Sequence, residues 1–197
     1  GNGTIVAGSK NIVVNFNGND IVFDGQIKAD KDGTTINKEG TGSWTLNLTD
    51  NSNVKAVNVK TGTFSLGSNH FDGGLYQSND FEINVGSGGT FQLKTEEGAT
   101  LELNNLNAST AGGTVVIGEK DELVLTGKNT SSEIAANLVG NGWLFLDNIQ
   151  GDQGVTPWTF KGNNSNWSGT IAAYDNGSAI TLASKNAGSA KSSIEIG

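Results

Sequence analysis

Gly62-Thr63-Phe64-Ser65-Leu66 returns as Gly89-Thr90-Phe91-Gln92-Leu93, again as Gly98-Ala99-Thr100-Leu101-Glu102-Leu103, and loosely as Gly142-Trp143-Leu144-Phe145-Leu146. Each copy is a glycine followed by large apolar residues alternating with mostly polar ones. Alternation with a period of two marks a strand buried on one face. Corresponding apolar positions, Leu46 and Leu66 or Leu103 and Leu125, lie roughly 20 to 22 residues apart, the length of one coil in known solenoids. Many short strands suit either a sandwich or barrel, or a stacked solenoid. Sandwich strands come as hairpins joined by two-residue turns, and such pairs are sparse here. The expected fold is therefore all-β, a single-stranded parallel β-helix.

Outward from this phrase the same alternation recurs. It runs through Ile12 to Phe16, Ile21 to Phe23, Trp44 to Leu48, Val57 to Val59 and Phe81 to Val85. It continues through Val115 to Ile117, Leu123 to Leu125, Ile171 to Ala173, Ile180 to Leu182 and Ile194 to Ile196. Each run is bounded by Gly, Asn, Asp or Ser. Stacked coils would place Trp44, Leu46, Phe64, Leu66, Phe91, Leu93, Leu101 and Leu103 in one core. Outward Thr, Ser, Asn and Lys would meet water, and Asn at corners would form side-chain ladders between coils. Ser131 to Leu138 is the one stretch that reads as a helical turn or two. No linker or composition shift marks a second domain, so residues 1–197 read as one β-helical segment, a piece of a longer chain.

Composition narrows the partners. The 197 residues include 29 glycines, one proline (Pro157), no cysteine and no methionine, and all 12 basic residues are lysine. The formal net charge is −8, and no lysine cluster offers a basic face. Binding to nucleic acid or to an anionic membrane surface is disfavoured on that ground. Without cysteine there is no disulfide and no thiolate chemistry. No apolar run approaches a bilayer span, so no membrane insertion is expected of this segment.

Phe23-Asp24-Gly25-Gln26-Ile27, followed by Gly33 to Leu46 with its Lys38-Glu39-Gly40-Thr41-Gly42-Ser43-Trp44-Thr45-Leu46, resembles the passenger-associated transport repeat of Gram-negative autotransporters. Val57-Asn58-Val59-Lys60-Thr61-Gly62-Thr63-Phe64-Ser65-Leu66 resembles the continuation of that repeat. Near the end, Asn163-Asn164-Ser165-Asn166-Trp167-Ser168-Gly169-Thr170-Ile171 is similar to a closing phrase common in autotransporter passengers. The resemblance weakens between Thr95 and Gly140. It implies a right-handed parallel β-helix, exported across the outer membrane to the cell surface or beyond. It implies no particular activity, because passengers share the shaft and differ in function.

Catalytic chemistry finds little support. His70, the only histidine, lies in Gly67-Ser68-Asn69-His70-Phe71-Asp72-Gly73-Gly74 and reads as a loop residue. No serine sits in a nucleophile-elbow motif, and Gly151-Asp152-Gln153-Gly154 resembles a serine-protease phrase only superficially. A polysaccharide lyase or hydrolase of β-helical fold is a third reading. A lyase of this fold uses a basic residue, often arginine, with acidic calcium ligands, and the chain has no arginine. A hydrolase needs paired carboxylates. Here Asp30-Lys31-Asp32, Glu96-Glu97 and Glu119-Lys120-Asp121-Glu122 read as exposed corners. Asn17 to Gly25 reads as a turn rather than a calcium repeat, since no tandem copy shares an ion with it. No enzyme activity, metal or cofactor is expected. The expected role is a structural, adhesin-type shaft, with a protein or glycan of a host or bacterial surface, or a second copy of itself, as partner. The alternative is a carbohydrate-binding solenoid using the aromatics of the last third, Trp158, Trp167 and Tyr174, with Trp143 nearby; the bland reading makes these core or capping residues.

Overall fold

The computed structural model describes residues 3–8, 11–29, 33–47, 54–67, 76–77, 82–103, 105–107, 112–125, 133–147, 158–173 and 179–197. Among them there is no helix, and every strand pairing is parallel. The sheets stack as a β-solenoid of about six turns, as the period-2 phrases require.

Two long sheets carry most of the coil. One runs Ile12–Asn15, Thr34–Glu39, Val54–Leu66, Glu82–Leu93, Thr114–Ile117 and Asn137–Gly140 in spatial order. The other runs Tyr76–Gln77, Thr100–Leu103, Glu122–Leu125, Trp143–Leu146, Thr170–Ala173 and Ser193–Ile196. Val54–Leu66 turns a corner within itself: Ala56 to Val59 pair with Thr35 to Lys38, and Thr63 to Leu66 with Ser43 to Leu46. A third sheet stacks Glu133–Ile134, Trp158–Phe160 and Ile180–Leu182.

Register explains the repeat. Trp44 sits on Phe64, Phe64 on Phe91, Phe91 on Val115 and Val115 on Leu138. The rings of Trp44 and Phe64 lie 5.6 Å apart and those of Phe64 and Phe91 6.3 Å, so one aromatic column runs through successive coils. A second column joins Leu101, Leu123, Leu144, Ile171 and Ile194. All eight residues assigned to the core from sequence are buried. Coil length is less uniform than the repeat suggests, for Trp44 pairs 20 residues ahead but Phe64 pairs 27 ahead. The columns need only their inward positions to align, so extra residues are accommodated between strands.

Ser131 to Leu138 is not helical in its described part. Glu133–Ile134 and Asn137–Gly140 are strands, with Ile134, Ala136 and Leu138 all buried. Inward burial at every second residue overrides the local helical preference of the two alanines. Where the described columns end, Ile21 is 38% exposed on one side, and Ile194 and Ile196 are 43% and 59% exposed on the other.

Candidate functional site

Beside the surface ion pairs Lys60–Glu39 and Lys161–Glu133, three kinds of polar contact between coils stand out among the described residues. The first centres on Lys38, which takes an inward position of its strand and is completely buried. Its Nζ donates to the carbonyls of Glu39 (3.0 Å), Gly40 (2.9 Å) and Thr61 (3.2 Å). Burial pulls the ammonium's pKa below the ordinary lysine value. The carbonyls can converge because Gly40 and Gly62 both turn through positive φ, 78° and 70°. A Cβ at Gly62 would strike the oxygens of Gly40 and Gly42 and the Lys38 ammonium. The buried ammonium thus draws the carbonyls of Glu39, Gly40 and Thr61 together and holds two adjacent corners to each other.

The second kind is a clip of one buried polar side chain on two backbones. Asn164 accepts from the Leu138 N–H at 2.8 Å and donates to the Ala187 carbonyl at 2.7 Å, joining the coils on either side of it. Asp121 accepts from the N–H groups of Thr95 and Ala99, each at 2.9 Å, and from the Thr95 hydroxyl. Asp121 is therefore not the exposed corner residue its acidic neighbours suggest; it turns inward and is buried. Glu96, Glu97, Glu119 and Lys120 are exposed as expected, whereas Glu122 opens the strand Glu122–Leu125 and is half-buried, accepting from the Thr100 hydroxyl at 3.3 Å.

The third kind is a ladder. Asn58 donates to Asn37 and Asn84 donates to Asn58, each at 2.8 Å, on successive coils. The ladder runs up the outward side of the first long sheet rather than along the corners. The Asn17 segment is a turn, with Asn17 and Gly18 at positive φ, and it carries Asp20 to the next coil. There Asp20 accepts from the Ser43 hydroxyl (2.6 Å) and N–H (3.0 Å), which hold its pKa below the usual carboxylate value.

The aromatics of the last third divide. Trp158 and Trp167 are 5% and 1% exposed, so neither offers an open ring face on which a sugar could stack; the core reading fits both. Tyr174 lies outside the described residues, as do His70, Asp30-Lys31-Asp32 and Gly151 to Gly154. Trp143 is the outward aromatic, 37% exposed, and its ring stacks with that of Phe145 at 5.6 Å and 15°. In the sequence Trp143 belongs to the same aromatic group of the last third, open to either the glycan-stacking or the core reading, and Phe145 stands outside that group. The signal was present: Leu144 and Leu146 repeat the inward Leu123 and Leu125 of the preceding coil, which turns the two aromatics outward.

Among the described residues no group of three or more His, Asp and Glu side chains gathers where it could hold a metal ion, and no helix is long and apolar enough to cross a membrane. No protein-family model, curated protein or solved structure matches this chain.

Proposed function

We propose that this chain is a shaft segment of an exported bacterial surface passenger of the autotransporter kind, serving an adhesin by holding contact regions away from the cell. The observation that carries the reading is the continuous parallel stack, clipped coil to coil by Lys38, Asn164, Asp121 and the asparagine ladder. A stack of this kind is rigid along its axis and grows one coil at a time, since each coil buries its apolar face on the last. Such growth suits a chain that crosses a membrane unfolded and folds outside. The resemblance to passenger repeats supports the same reading. Its Thr45-Leu46 strand and its Thr63-Phe64-Ser65-Leu66 phrase lie in register on adjacent coils, with Leu46 on Leu66.

The test is to display the parent protein on bacteria with and without residues 1–197. The shaft reading expects the deletion to lower the amount of passenger reaching the surface in folded, protease-resistant form. Unchanged surface level together with unchanged attachment would contradict it. Lost attachment at unchanged surface level would make the segment a contact surface instead.

A further inference from the structure

From the outward face around Trp143 we infer a docking surface for a cationic, amino-sugar glycan. Register lays out its composition. Trp143 sits between Glu122 and Thr170, and Phe145 sits between Val124 and Ala172 on the same side of the sheet. One coil further out in each direction, Glu102 lies beside Val124 and Glu195 beside Ala172. Ala172 is covered, so the open part of this face is the indole of Trp143 with the half-buried Phe145 and Val124. It is bordered by the carboxylates of Glu102, Glu122 (which also accepts from the Thr100 hydroxyl at 3.3 Å) and Glu195. None of the strands of this sheet carries a lysine.

The charge selects the partner. A uronate, sialylated or phosphorylated ligand would be repelled by Glu102, Glu122 and Glu195 and would find no cation on these strands. A glucosamine-type polymer presents the complement, a flat C–H face for the stacked rings and ammonium groups at the ring edge for the glutamates. A basic peptide has the charge but less to hold. Trp143–Leu146 is already hydrogen-bonded to strands on both sides, so no sheet edge is open there for a peptide to join as an added strand. Sugars need only the side-chain surface.

Fluorescence isolates this site, because Trp44, Trp158 and Trp167 are all buried and only Trp143 is partly open. The probe is a fully deacetylated β-linked glucosamine oligomer, titrated while emission and acrylamide quenching are followed. Expected results are a blue shift and shielding of Trp143, affinity about tenfold or more weaker in Trp143→Ala, and about twofold to fivefold weaker in Glu122→Gln. The N-acetylated oligomer of equal length should bind more weakly, and an oligogalacturonate not at all. Both variants are checked for an unchanged melting curve. If Trp143→Ala melts early, the Glu122→Gln titration and the wild-type shielding decide. The inference is overturned by absence of binding, by equal binding of the neutral or the anionic oligomer, or by affinity that survives in the variants. Binding of an oligolysine peptide without the glucosamine oligomer would also overturn it, and would make the face a peptide-docking surface.

Discussion

The ammonium of Lys38 donates to the carbonyl of Thr61, 23 residues further along the chain and one coil on, from a site that water does not reach. A buried charge with no carboxylate beside it is ordinarily costly. Here three backbone carbonyls replace its hydration. Lys38→Met keeps the apolar stem and removes the ammonium donor from all three carbonyls, of which Gly40 retains the Thr61 hydroxyl at 3.3 Å. The variant is expected to lose about 2 kcal/mol or more, read as a lower urea midpoint with unchanged slope.

Gly62 is tied to the same corner. Gly62→Ala forces a side chain into positive φ and against the Gly40 and Gly42 carbonyls. An expected loss of about 2 to 4 kcal/mol combines the left-handed cost with displacement of the Lys38 cradle. Because both substitutions damage one unit, Lys38→Met with Gly62→Ala should cost less than the sum of the two, which a double-mutant cycle measures.

Asn164→Ala removes one side chain and orphans the Leu138 N–H and the Ala187 carbonyl, on opposite sides of it. Loss of about 2 kcal/mol or more is expected. Phe91→Ala in the aromatic column, by comparison, should cost about 3 to 5 kcal/mol. Thermal melts of the two variants, side by side, check the order.

Asp20 gives the pH dependence. Hydrogen bonds from Ser43 lower its folded pKa below 3.8, so folding favours the carboxylate. Its contribution is complete above the unfolded value and fades as pH falls through the lower folded one. The stability difference between wild type and Asp20→Asn should therefore be constant at neutral pH and shrink only below about pH 4. A difference that grows on acidification would contradict the assignment.

The parts of the solenoid that are legible in the sequence are those where large apolar residues alternate with small polar ones, as in Thr63 to Leu66 and Thr100 to Leu103. Thr34–Glu39 lacks that alternation, because its inward positions are Thr34, Ile36 and Lys38 and a lysine suggests solvent. Only the coil next to it, which brings the Thr61 carbonyl into reach, makes that position an interior one. The interior place of Asp121 is hidden in the sequence for the same reason, since its partners Thr95 and Ala99 lie one coil away. The tryptophans show the limit most plainly. Trp158 and Trp167 are core and Trp143 is surface, and composition alone treats them alike; the in-register leucines beside Trp143 separate them.

A shaft built of coils that stabilise one another should be firmest in its middle and loosest where its columns end. Hydrogen exchange of the native chain tests this directly. The amides of Glu82–Leu93 and Thr114–Ile117 are expected to exchange slowest. Those of Thr4–Gly8 and Ser193–Ile196 are expected to exchange fastest, with protection falling coil by coil between them. Weak protection in the central strands, or slower exchange at the ends than in the middle, would contradict a continuous clipped stack.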